Sequence, residues 1–184
     1  MKRIFIAIKV NVGETFFEMI SSFKSELSGD NIKWINPENI HITLAFIGNT
    51  ENDLIKSISE MLEKTCKDSG NFELVIRGTG VFKNINDPRV IWTNIDHSEK
   101  LLMLAEKILK ELNQMNITLD DKPFKPHITI GRIKHLNNKE IFRKLTEKYQ
   151  TIELQKVEVN EVTLYESILL EQGPKYVPLG RFKL

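Results

Sequence analysis

Histidine is scarce in this chain, and two of its four copies sit in nearly identical tetrads, His41-Ile42-Thr43-Leu44 and His127-Ile128-Thr129-Ile130. On a β-strand successive side chains point to opposite faces. His41 and Thr43 therefore share one face, and Ile42 and Leu44 the other. The same parity joins His127 to Thr129. Two such strands side by side would line one groove with two imidazoles and two hydroxyls. Imidazole titrates near neutrality, so a facing pair can supply one neutral base and one protonated acid. A phosphodiester fits such a groove. One imidazole takes a proton from an attacking water, and the other gives one to the leaving oxygen. The threonine hydroxyls donate to the non-bridging oxygens, where charge builds. This chemistry requires no metal and no cofactor. Neither tetrad carries the third His or carboxylate that a two-histidine metal site needs. Because the tetrads are nearly symmetric, residue chemistry alone leaves open which histidine is acid and which is base.

The surrounding sequence supplies elements to hold these strands. Ile4, Ile6 and Ile8 alternating with Phe5 and Ala7 predict a buried strand over 3–10. Phe16, Phe17, Ile20, Phe23 and Leu27 predict the apolar face of a helix over 14–27. A short strand near 32–34 and a turn at Asn36-Pro37 lead into the strand 41–47. Gly48-Asn49-Thr50 is read as ending that strand and capping a second helix, faced by Leu54, Ile55, Ile58, Met61 and Leu62. Strands are expected over 72–82 and 90–95, and a third helix over 99–115. The second tetrad strand spans 126–133, and a short helix capped by Asn137 follows. Strands over 152–159, 161–170 and 176–182 complete the chain, with Gly173-Pro174 as a turn. Strands and helices mix without strict alternation, which argues for an α+β fold with antiparallel pairing. The repeated tetrad suggests two similar lobes within a single domain of residues 1–184.

Net charge is +1, which excludes a generally polycationic coat protein but not a local basic surface. Eight Lys or Arg against two Glu lie between Lys122 and Lys148, around the second tetrad, and suggest a positive field beside a phosphate site. Cys66 is the only cysteine, so no internal disulfide is possible. The apolar run after Arg3 breaks at Lys9, too soon for a signal peptide, and no run reaches the length of a membrane span. A cytoplasmic monomer is expected.

The flanks of both tetrads are specific. Arg3-Ile4-Phe5-Ile6-Ala7-Ile8, then Trp34 with Pro37-Glu38-Asn39-Ile40-His41-Ile42-Thr43-Leu44-Ala45-Phe46-Ile47-Gly48, then Pro88-Arg89-Val90-Ile91-Trp92, and finally Phe124-Lys125-Pro126-His127-Ile128-Thr129-Ile130-Gly131-Arg132 span nearly the whole chain. In these segments the chain resembles the two-histidine (2H) phosphoesterase superfamily, and within it the RNA 2',3'-cyclic phosphodiesterase (ThpR/LigT) family. The resemblance implies a bilobal α+β fold with a cleft between two antiparallel sheets. It implies hydrolysis of RNA 2',3'-cyclic phosphate ends, or of a small cyclic nucleotide, to a 2'-phosphate. It also implies roles: His41 as proton donor to the leaving O3', His127 as acceptor that activates water, and Arg132 as a phosphate ligand beside Thr43 and Thr129.

By simple alternation Arg132 falls on the face opposite His127, unless a bulge at Gly131 turns it. Trp34, Phe46 and Trp92 are possible base-stacking platforms. Strand position favours core for all three, and Phe46 shares parity with Ile42 and Leu44. His97 and His135 lie outside any motif and are read as surface residues. Two other functions fit the same groove: joining RNA ends through a 2'-5' bond, and binding RNA or nucleotide without catalysis.

Overall fold

The computed structural model describes residues 1–96, 98–119 and 123–184. Nine strands form two antiparallel sheets. β1 (Lys2–Lys9), β3 (His41–Thr50), β8 (Glu161–Leu170) and β9 (Gly173–Lys183) make the first, in the order β3-β1-β8-β9. β2 (Asn31–Trp34), β4 (Phe72–Phe82), β5 (Val90–Ile95), β6 (His127–His135) and β7 (Glu153–Val159) make the second, in the order β2-β6-β5-β4-β7. Each tetrad strand pairs with one central strand, β3 with β1 and β6 with β5, and β3 and β6 approach each other between the sheets. This is the α+β, two-lobed, pseudo-symmetric arrangement expected.

Helices cover the outer faces. α2 (Asn52–Lys67) and α3 (Glu99–Gln114) pack on each other, α2 against β8 and β9 and α3 against β3. α1 (Glu14–Glu26) and α4 (Lys139–Lys148) pack on each other and on β7 and β4. In α1 the buried stripe is Phe16, Met19, Ile20 and Phe23 at three- and four-residue spacing. Phe17, counted in that stripe from sequence, stands one step off it and is exposed. Ile42, Leu44, Ile128 and Ile130 are buried, so the aliphatic face of each tetrad belongs to one continuous apolar cluster.

Three local expectations are corrected. β3 does not stop at Gly48 but runs to Thr50, because Lys2, Arg3 and Ile4 keep pairing with Thr50, Asn49 and Gly48. α2 then starts after Glu51, with no side-chain cap. Gly173-Pro174 is not the turn: both residues pair with Leu170 and Leu169 at the start of β9, and the hairpin loop is Glu171-Gln172. The cap of α4 is Asn138, whose side chain accepts from the Ile141 N–H, one residue beyond Asn137.

Candidate functional site

His41 opens β3 directly after a short 3-10 turn over Pro37–Asn39. Its Nδ1–H donates to the Asn39 carbonyl at 2.6 Å. His127 opens β6, and its Nδ1–H donates to the Lys125 carbonyl at 2.7 Å. A carbonyl can only accept, so each ring must carry its proton on Nδ1 when neutral. Nε2 is thereby left available in both. The two sites are built alike, each from the carbonyl two residues upstream.

Aromatic rings hold each imidazole. Phe5 and Tyr176 lie 5.1 and 5.3 Å from the His41 ring, centroid to centroid. Phe82 and Trp92 lie 4.8 and 6.4 Å from the His127 ring. Trp92 thus packs a histidine instead of offering a platform, and Trp34 packs partly buried against the core and against Gly131. Burial pushes the His41 imidazole below its ordinary value; the charges of Lys9 and His127 act in the same direction, against the Asn39 carbonyl. Burial also lowers His127, helped by Lys125 and Arg132 and opposed by the Lys125 carbonyl.

Both histidines open into a cavity of about 500 Å³ lined by Arg3, Phe5, Lys33, Ile35, His41, Thr43, Phe46, His127, Thr129, Arg132, Ser167, Leu169, Pro174 and Tyr176. Three cations and no carboxylate line it among the described residues, so it favours an anion. Burial raises the Tyr176 hydroxyl pKa, with Arg132 and Arg3 opposing, so this phenol stays a neutral hydrogen-bond partner at the cavity wall.

Arg132 reaches this wall because β6 breaks its alternation. Thr129 pairs with Trp92 and Gly131 with Ile91, which leaves Ile130 unpaired as a bulge. Ile130 and Gly131 are both buried, and Arg132 turns out. The extra residue is Ile130, one before the glycine expected. Gly131 instead makes room for an indole, since a Cβ there would meet the Trp34 ring at 3.0 Å. β3 repeats the device. Ala45 pairs with Ile6 and Thr43 with Ala7, leaving Leu44 unpaired. Phe46, assigned to the core by parity, instead faces the cavity and is 49% exposed.

The positive field comes only in part from the stretch expected. Of the basic stretch around the second tetrad, Arg132 lines the cavity and the Lys125 charge acts on His127; Lys122 lies outside the described residues, and Lys134, Lys139, Arg143, Lys144 and Lys148 are not among the lining residues. Arg3 and Lys33 supply the rest, from β1 and β2. Arg3 opens the first segment of the resemblance without a role assigned to it, and Lys33 lies in none of those segments; the pairing of β1 with β3 and of β2 with β6 brings them in. His135 is exposed and bonds the Asn137 side chain at 3.0 Å, away from the cavity, and His97 lies outside the described residues. Cys66 is buried, its thiol pushed up to about 12 by burial, which removes it as a nucleophile. Among the described residues no group of three or more His, Cys, Asp and Glu is placed to hold a metal ion, and no helix is long and apolar enough to cross a membrane.

Comparison with known proteins agrees with this geometry. An RNA 2',3'-cyclic phosphodiesterase of Archaeoglobus fulgidus is 33% identical, over 98% of this chain and 99% of that one. Its counterpart from Thermotoga maritima is 34% identical, over 95% and 91%. The crystal structure of TT0787 of Thermus thermophilus superposes with a TM-score of 0.78 at 26% identity, covering 99% of this chain and 97% of that one. The model of the 2'-5' RNA ligase superfamily matches residues 18–168, and with these relatives it establishes that the chain belongs to that superfamily.

Proposed function

We propose that this protein is an enzyme that hydrolyses RNA 2',3'-cyclic phosphate ends to a 2'-phosphate, without a metal, by acid–base catalysis from His41 and His127. The observation that carries this reading is the matched pair of Nδ1–H bonds, which leaves two Nε2 atoms in one cation-lined cavity. The relatives' names, RNA 2',3'-cyclic phosphodiesterase, support the same substrate class.

Water attacks phosphorus in line with the bond to O3'. His127 Nε2 takes the water proton as the P–O bond forms. The P–O3' bond breaks, and O3' takes its proton from the protonated Nε2 of His41. The 2'-phosphate remains. Thr43 and Thr129 donate to the non-bridging oxygens, and Arg132 balances their charge. Arg3 and Lys33 hold the anion at the cavity wall. The substrate is an RNA end or a small cyclic nucleotide, and the working unit is a cytoplasmic monomer, its residues 1–184 acting as one domain because both lobes furnish catalytic groups.

An oligoribonucleotide with a 2',3'-cyclic phosphate end, incubated with protein and chelator, should be converted to a 2'-phosphate end. Persistence of the cyclic end would overturn the proposal. The superfamily's description supports a second reading. A 5'-hydroxyl of another RNA replaces water, and the same histidines form a 2'-5' bond. Supplying a 5'-hydroxyl acceptor and resolving joined from hydrolysed product separates the two. Nucleotide affinity with no turnover of either kind would instead mark a binding module.

A further inference from the structure

The two histidines are held alike but stand beside different neighbours. Across the ladder from His127, on β5, is Asn94; across from His41, on β1, is Lys9. Directly opposed residues of antiparallel strands put their side chains on one face, about 5 Å apart at Cβ. Lys9 and His41 therefore stand flank to flank.

Lys9 also reaches the turn that holds His41. Its ammonium donates to the Glu38 carbonyl. The next carbonyl, of Asn39, accepts from His41 Nδ1–H, and the one after it, of Ile40, accepts from the Val10 N–H at 3.2 Å. The end of β1 thus grips the carbonyls on both sides of the one that orients the imidazole. Lys9 does not line the 500 Å³ cavity. It lines a smaller one of about 180 Å³, which shares His41 and Tyr176 with the first. A substrate in the larger cavity therefore meets His41 and not Lys9. Among the described residues, the other charged and titratable groups around His41 are Arg3, Lys33, His127 and Arg132 in the large cavity, from β1, β2 and β6. Around the small one they are Glu38 on the turn, Tyr165 on β8, and Tyr176 and Arg181 on β9. The charges that bear on the ring are those of Lys9 and His127. His127 is the neutral partner in the proposed reaction, which leaves Lys9. Burial holds the Lys9 ammonium itself below its ordinary pKa, against the Glu38 carboxylate, so this is not a freely solvated surface lysine.

We propose that Lys9 is a positioning residue for His41: it pins the turn that orients the imidazole and keeps a positive charge beside the ring. A cation there favours loss of the His41 proton, the step that releases O3'. The proposal rests on the hydrolysis argued above, in which His41 is the acid. Lys9→Met keeps the aliphatic stem without charge or donor, and Lys9→Arg keeps both. Removing the cation favours the protonated imidazole, so in Lys9→Met the His41 ring should titrate at higher pH than in wild type. Imidazole resonances followed by NMR, assigned against His41→Asn, read this without turnover. With adenosine 2',3'-cyclic phosphate as substrate, the alkaline limb of kcat/KM should move up with the titration. In Lys9→Met kcat should fall about ten-fold with KM nearly unchanged, the cost of loosening a group that orients a reacting one. Lys9→Arg should restore both the limb and kcat. Hydrolysis by wild type, with His41 titration and kcat unchanged in Lys9→Met, overturns the role of Lys9 and keeps the hydrolysis. A rise in KM alone overturns that role too, because it makes Lys9 a substrate contact. A shifted His41 titration in Lys9→Met, with no hydrolysis by wild type, overturns the hydrolysis and keeps Lys9 as the neighbour that sets the ring.

Discussion

Two imidazoles that are both held below their ordinary pKa pose a chemical question, because the proposed reaction needs one of them charged as the acid. Burial, Lys9, Lys125 and Arg132 all favour the neutral rings while the cavity is empty. A phosphate anion between them favours the protonated form instead. The pH dependence of kcat/KM reports the free enzyme, so its bell should centre on the acid side of about 6.5, the ordinary imidazole value. The alkaline limb of kcat should lie higher, because substrate is then bound. A pH–rate series measuring both parameters checks this, and a kcat/KM optimum above neutrality would contradict it. His41→Ala and His127→Ala should each lower kcat by about 10²–10⁴-fold, the usual contribution of a positioned acid or base. Thr43→Val and Thr129→Val remove one donor each to the developing charge. A loss of about 10²-fold in kcat with a smaller change in KM is expected, measured by single-turnover kinetics.

At the scale of elements, the bulge decides which residues line the cavity. Alternation assigned His41, Thr43, His127 and Thr129 to one face because no irregularity separates histidine from threonine in either strand. It failed at the next step. Leu44 and Ile130 are ordinary strand residues, and nothing in their type announces that each is left unpaired. Phe46 was therefore read as core, and Arg132 reached the cavity only if a glycine broke the strand. The same scale supplies a test of how the strands hold the histidines. A Cβ at Gly80 of β4 would lie 2.5 Å from the rigid Trp92 ring, which packs against His127. Gly80→Ala should push the indole toward His127. A loss of about 1–3 kcal/mol in denaturant unfolding is expected, with a fall in kcat although position 80 lies outside the cavity.

At the scale of the whole molecule, the site exists because two sheets bring their tetrad strands together. That arrangement buries two titratable rings, and stability should register it. Both histidines bind a proton less readily folded than unfolded, so the unfolded chain holds more protons in the window just below about 6.5. Stability is then full above about pH 6.5 and falls as pH drops through the folded values. Urea unfolding at about pH 7.5 and about pH 5.5, above and below the ordinary imidazole value, should show this loss in the wild type. A His41→Asn, His127→Asn double variant should lose less over the same interval, and an equal loss would assign the effect to other groups.

The sequence by itself determined the fold class, most strand and helix spans, and the four residues whose parity puts imidazole beside hydroxyl. These are local properties, readable from period and residue type. Only the tertiary structure decided which neighbours complete the cavity. Arg3 and Tyr176 come from β1 and β9, far from the tetrads along the chain, and Lys33, near the first tetrad in sequence, enters from β2 through its pairing with Arg132 on β6. Their contribution follows from strand order and from pairing that slips by one residue at Leu44 and Ile130. Hydrogen bonds between distant strands set that slip, and no period within a single strand encodes them.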